Sequence, residues 1–221
     1  MSNLNFLHSG GNKVTISAPT NDPSSNPNFK LPQSDGSAGQ VLMTDGNGNL
    51  SWYTIPTTTP GITVADSWRL TTNISSTSEG NITSNWARNS DTPISGGYPH
   101  MGAIGSAMTE SSGVFSFPST GIYLVKFHCT ASINNAGRRF FEANIFATRD
   151  NFSTSQMFAR GYANGYNSSN HTLWTAVAEG MFDVKNSNHK VKFNYSSSGS
   201  VDIRGTNYNL TYATFIRLGD T

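Results

Sequence analysis

The run Ser112–Cys129, SGVFSFPSTGIYLVKFHC, constrains the fold more than any other part of the chain. Phe115 and Phe117 alternate with small polar residues, and Pro118 to Gly121 supply a turn. Beyond it, Tyr123, Val125, Phe127 and Cys129 fall on one side of an extended segment, while Lys126 and His128 fall on the other. A period of two with one wetter side is the signature of a strand in a half-buried sheet. Cys129, a lone cysteine on the apolar side, has no intramolecular disulfide partner and reads as a small buried hydrophobe.

The same rhythm predicts strands over residues 67–74, 80–88, 104–108, 114–117, 122–131, 139–148, 155–162, 172–184, 190–195, 200–204 and 210–218. No amphipathic helical stretch competes with them. Phe140 to Thr148 comes nearest, but Phe141, Ala143 and Ile145 alternate with Glu142, Asn144 and Phe146. That pattern predicts a strand covered on both faces, once by its own sandwich and once by a neighbouring subunit. Asn, Ser and Thr make up about a third of the chain, well above ordinary usage, and the 21 glycines suit the turns that many short strands require. The fold class is all-β.

Residues 1–60 are too poor in bulky apolar side chains to build a core of their own. Val14–Ile16 and Phe29–Leu31 read as short strands. Residues 40–44 and 50–55 read as a hairpin around the turn Asp45–Asn49. A hairpin this short is marginal alone and needs a partner surface, which identical chains around a symmetry axis can supply. The chain therefore divides into an attachment segment and linker, 1–60, and a head, 61–221.

Two resemblances sharpen this picture. Gly113, Phe115, Pro118, Gly121 and Tyr123 form a Gly-x-Phe-x-x-Pro-x-x-Gly-x-Tyr pattern. It resembles that of the globular heads of the complement first component and their tumour-necrosis-factor-like relatives, which also close on a strand like Leu210–Gly219. The resemblance implies a jelly-roll β-sandwich and a homotrimer. The run Leu31–Trp52, LPQSDGSAGQVLMTDGNGNLSW, resembles a segment of fibre and other virion structural proteins of tailed bacteriophages. It implies attachment to other virion proteins through Leu31, Asp35, Gly39, Val41, Leu42, Asp45, Gly48, Leu50 and Trp52.

Chemistry is sparse by comparison. With 14 basic and 13 acidic residues scattered along the chain, nothing provides the clustered Lys and Arg that nucleic acid needs. No run is long and apolar enough for membrane insertion, and the N-terminus, MSNLNFLHSGG, lacks a secretory signal. Synthesis in a cytoplasm and a surface suited to exposure outside cells meet in a virus particle, the expected location. No motif calls for a cofactor or metal. Asp45-x-Asn47-x-Asn49 mimics the start of a calcium loop, but Leu50 and Pro56 stand where Gly and Glu belong. Glu142 and Glu179 lie within expected strands where they could face each other as a glycosidase pair, but pairing with Arg138 or Arg139, or simple solvation, is the simpler expectation. No catalytic residue is assigned.

The stretch Ala159–His171 remains. It reads as a loop in which Arg160, Tyr162, Asn164, Tyr166, Asn167, Asn170 and His171 combine flat aromatic area with adaptable amides, the chemistry of binding loops. An ordinary long sandwich loop would look the same. Together these features suggest a short phage fibre whose trimeric head binds a host-surface glycan or protein. The alternative is a capsid decoration protein with no receptor role, and a glycan depolymerase ranks last for want of a carboxylate pair.

Overall fold

The computed structural model describes residues 4–17, 19–21, 23–24, 26–56, 61–90, 102–133, 139–164 and 172–221, apart from the side chains of Ser76 and Thr77. All regular structure among them is β. The chain divides into two compact units, Met1–Thr59 and Pro60–Thr221.

The first unit holds two hairpins. Strands β1 (Leu4–Leu7) and β2 (Lys13–Ile16) pair antiparallel, as do β3 (Gln40–Thr44) and β4 (Leu50–Thr54). The first of these was only half visible in the sequence, as Val14–Ile16. Phe29–Leu31 does not form a strand; Lys30 makes a single bridge to Asn49.

In the second unit the strands are β5 (Ala65–Leu70), β6 (Ile74–Asn81), β7 (Trp86–Arg88), β8 (Thr109–Ser111), β9 (Val114–Ser116), β10 (Gly121–Ile133), β11 (Phe141–Thr148), β12 (Gln156–Ala163), β13 (Thr172–Val184), β14 (Lys190–Ile203) and β15 (Tyr212–Gly219). Their pairing gives the two layers of a jelly roll. Sheet one runs β7-β5-β15-β10-β13. In sheet two, β14 pairs with β11 and β11 with β12; β6 and β9 share the other edge of β14, and β8 pairs with β9. The sheets meet in one corner, where Ala131 and Ser132 pair with Ile203 and Asp202. At the opposite edge β12 crosses β13 so closely that a Cβ on Gly161 would stand 1.8 Å from the Val177 carbonyl oxygen.

Several boundaries differ from the sequence expectation. The span 67–74 breaks after Leu70, which ends β5 in sheet one, and the chain resumes at Ile74 in sheet two. Residues 190–203 form one strand, because Ser196–Ser200, too polar to read as strand, pair with or lie beside β6 and β11. Ile104–Met108 is not a strand. It is held by one bridge, Ala65 to Ile104, and by the buried Asp66, whose Oδ2 accepts from Met108 N at 2.8 Å, Trp68 Nε1 at 3.0 Å and Arg88 Nε at 3.2 Å.

Between the sheets, Tyr123, Val125, Phe127 and Cys129 are all buried, as their alternation requires. Burial pushes the Cys129 thiol far above its ordinary pKa, which makes it an inert packing residue. The Phe115 ring lies 5.3 Å from those of Trp86, Phe193 and Phe215 and 5.5 Å from that of Trp68. Phe127 meets Phe193 across the sandwich at 4.7 Å. A second cluster joins Phe117, Tyr123, Phe158 and Phe182.

The glycine motif has a physical basis. Gly113 (φ +80°) and Gly121 (φ +141°) adopt conformations closed to ordinary residues, and a Cβ at either would strike backbone, the Ile82 oxygen at 2.2 Å or the Gly219 oxygen at 2.6 Å. Tyr123 caps the intervening turn by donating its hydroxyl to Ser119 O at 3.1 Å.

Removing the central ring should be costly. Phe115→Ala is expected to destabilise the sandwich by about 3–5 kcal/mol, lowering the thermal midpoint by at least roughly 6 °C for a unit of this size. An unchanged midpoint in differential scanning calorimetry would show that the register described here is wrong.

Candidate functional site

Of the residues expected to form a recognition loop, Arg160 and Tyr162 lie not in a loop but in β12, and Asn164 follows the strand with its side chain exposed. Tyr166, Asn167, Asn170 and His171 fall outside the described residues. What the strand builds instead is a polar row across the outer face of sheet two. Arg160 Nε donates to Asn144 Oδ1 at 3.1 Å, Asn144 Nδ2 to Asn194 Oδ1 at 3.2 Å, and Asn194 Nδ2 to Asn81 Oδ1 at 3.4 Å. The row thus links β12, β11, β14 and β6 at matched register. Arg160 also pairs with Glu142 at 3.5 Å and donates from Nη1 to the exposed Tyr162 hydroxyl at 3.0 Å.

This row corrects two expectations. The outer side of β11 is covered by the chain's own polar neighbours and by Lys192 above Phe146, so Phe141–Thr148 needs no second subunit. Glu142 pairs with Arg160 and not with Arg139, while Arg138 lies outside the described residues. Glu179 lies on β13 in the other sheet, in an ion pair with Lys126 at 3.2 Å.

Sheet one presents a different outer face. Leu173 and Val177 of β13 stand 56% and 37% exposed, and Leu124, Ile216 and Tyr212 extend the apolar surface over β10 and β15. A depression of about 230 Å³ lies among Leu124, Lys126, His128, Tyr212, Thr214 and Ile216. His128 stacks on Tyr212 at 4.4 Å with the rings nearly parallel. Burial first, and then the Lys126 charge, lower its pKa. Besides the Lys126–Glu179 pair, the register puts Asp183 beside Ile122 and the buried Arg69 beside Tyr212 on this face.

A third feature is the β11–β12 connection, which sequence reading passed over. Asn151 (φ 58°) and Phe152 (φ 64°) are consecutive non-glycine residues in the left-handed region. Such a backbone persists only where its surroundings fix it. The buried Thr148 hydroxyl lies 2.7 Å from both Asp150 Oδ1 and the Thr154 carbonyl, and accepts from Phe152 N at 2.9 Å. Asp150 accepts from Thr154 N at 2.9 Å and Thr154 Oγ1 at 2.6 Å. Lys192 Nζ sits 4.8 Å from the centre of the Phe152 ring. The one legible signal was Thr148-x-Asp150-x-x-x-Thr154, a spacing at which short polar side chains hydrogen-bond nearby backbone.

The expected attachment residues come together in the first unit. Asp45 anchors the β3–β4 turn rather than a cation loop: it accepts from Asn47 N at 2.8 Å and from Asn49 Nδ2 at 2.6 Å, and these bonds lower its pKa. Gly39 precedes β3 and Gly48 lies in the turn. Trp52 faces Leu42 across the hairpin and donates from Nε1 to Ser34 O at 2.8 Å, which folds the stretch around Asp35 over that side, where Leu50 also lies. Val41, Met43 and Tyr53 occupy the other side, all exposed, and Leu31 is 73% exposed. The ribbon is apolar on both faces.

No protein-family model matches the chain, and no curated protein matches it in sequence. Solved structures do. Eiger TNF from S. frugiperda aligns with a TM-score of 0.50 at 11% identity, over 73% of this chain and 96% of its own. Murine APRIL aligns at 0.46 and 11% identity, over 70% of this chain and 98% of its own. At this identity the likeness to Eiger is one of fold, and the fold is the tumour-necrosis-factor-like jelly roll.

The pKa of Asp150 is lowered from 3.8 to about 2 by its bonds to Thr154 and Thr148. A carboxylate depressed on folding adds stability above its unfolded pKa, near 4, and loses it as pH falls through the folded value. The difference in thermal midpoint between wild type and Asp150→Asn should therefore be widest above about pH 4 and close as pH falls through about 2. A difference independent of pH would mean that the carboxylate does not hold this turn.

Proposed function

We propose that the chain is a virion structural protein of a tailed bacteriophage, a short fibre with an N-terminal attachment ribbon and a homotrimeric jelly-roll head that contacts the host surface. The observation that carries the attachment role is the two-sided ribbon. Val41, Met43 and Tyr53 on one side, with Leu42 and Trp52 on the other, are exposed apolar groups without a core of their own. A segment of this kind orders stably only against another surface. Its likeness to the recurring phage segment assigns that surface to the particle.

The outer face of sheet one supports the trimer. Exposed Leu173 and Val177, with Leu124, Ile216 and Tyr212, form an apolar patch of the kind that self-association covers. Sheet two's buried polar row is instead satisfied within the chain. Among the described residues the buried apolar ones all lie between Val64 and Phe215, within the second unit, so the head has a core of its own.

Two linked experiments test the assignment. A chain beginning at Thr63 should stay folded and soluble yet fail to join particles that lack the native copy, when a tagged form is mixed with them. Normal incorporation would place the docking surface on the head and reverse the two ends. Gold-labelled antibody against the head should mark tail tips or baseplates; labelled capsids would make this a decoration protein, and unlabelled particles would end the virion assignment.

A further inference from the structure

At one end of the sandwich, the β11–β12 connection and the end of β13 border a cavity of about 510 Å³, within the range of small-molecule sites. Met157 and Phe158 of β12 and Met181 of β13 supply apolar wall, and Arg149, Gln156 and Asp183 supply polar groups. The polar groups have capacity to spare. Neither the Arg149 guanidinium nor the Gln156 amide makes a hydrogen bond or ion pair among the described residues. Asp183 uses Oδ2 on Lys185 Nζ at 3.3 Å, while its screened Oδ1 has no partner. One rim of the cavity is the turn locked by Thr148 and Asp150, so little order remains to be imposed on it when a ligand binds.

The ligand chemistry follows from what these groups lack. Arg149 and Gln156 offer unused donors, and Gln156 and Asp183 offer unused acceptors, so the complement must both accept and donate. Arg149 and Lys185 balance Asp150 and Asp183, which leaves no net charge to favour an ion. The thioethers and the Phe158 ring require an apolar face on the same small molecule. Hydroxyls around the edge and C–H groups across the face describe a sugar ring. We propose that this cavity binds a neutral hexopyranose unit of a cell-surface glycan, its C–H face against Met157 and Phe158 and its hydroxyls toward Arg149, Gln156 and Asp183. The inference rests on the host-binding role given above and supplies its ligand class.

The test uses the full chain with ¹³C-methyl-labelled methionine. Methyl glycosides of glucose, galactose, mannose and N-acetylglucosamine, titrated singly at millimolar concentrations, should include at least one that shifts the Met157 and Met181 methyls saturably. Arg149→Ala and Gln156→Ala, both at exposed positions, should each weaken that affinity about tenfold, roughly 1.4 kcal/mol, with unfolding temperature and oligomeric mass unchanged. Three results overturn the proposal: no saturable shift with any of the four, tighter binding of N-acetylneuraminic acid than of the neutral glycosides, or altered oligomeric mass in Arg149→Ala, which would give the cavity to a neighbouring copy. Adsorption of the labelled protein to bacterial cells separates the two readings. Sugar binding without cell binding keeps the site and removes the host-binding role, whereas cell binding undiminished in Gln156→Ala keeps that role and places recognition elsewhere.

Discussion

The ring of Phe115 is the contact on which the rest of the head depends. It belongs to the short strand β9 of sheet two, yet it touches Trp68, Trp86 and Phe215 of sheet one as well as Phe193 of its own sheet. Edge-to-face and tilted contacts at these distances add to the burial of large apolar area. Because rings from both layers converge on one side chain, the spacing and relative position of the sheets are fixed together. Gly113 and Gly121 then matter as the two backbone positions that let β9 enter and β10 leave this centre without a clash.

Once the inner faces are committed to that core, the outer faces diverge in chemistry. On sheet two, neighbouring side chains satisfy one another along the row from Arg160 to Asn81, so the buried amides of Asn144 and Asn194 are paired within the sheet. On sheet one, Asn89 links Arg69 to Ser67 and Thr130 meets Thr175, while leucine, valine and isoleucine over β10, β13 and β15 stand beside a histidine stacked on tyrosine. In the proposed trimer, a copy of the chain covers the apolar part of sheet one. The end of the sandwich at the β11–β12 turn differs from both, because beside a turn locked by Thr148 and Asp150 it leaves Arg149, Gln156 and Asp183 Oδ1 without partners among the described residues.

Much of the fold was legible because strand alternation is a local property. Tyr123 to Cys129 announced their buried side within seven residues, and the hairpin of Leu42 and Trp52 was marked by its Asp-Gly turn. The surfaces were not legible, because their partners come from distant strands. Arg160 and Tyr162 have the composition of a binding loop, but pairing with β11 draws them into a sheet. Glu142 found its cation across a strand pair rather than a few residues away. Arg149 and Gln156 flank one turn, but Asp183 comes from a distant strand and meets them only at the β12–β13 edge, so no local pattern marks their cavity.

The central claim is that the apolar outer face of sheet one is covered by copies of the same chain. Sedimentation equilibrium of the full chain at micromolar concentration tests this most directly. The account predicts a single species of three times 23.8 kDa. A monomer under the same conditions would contradict it.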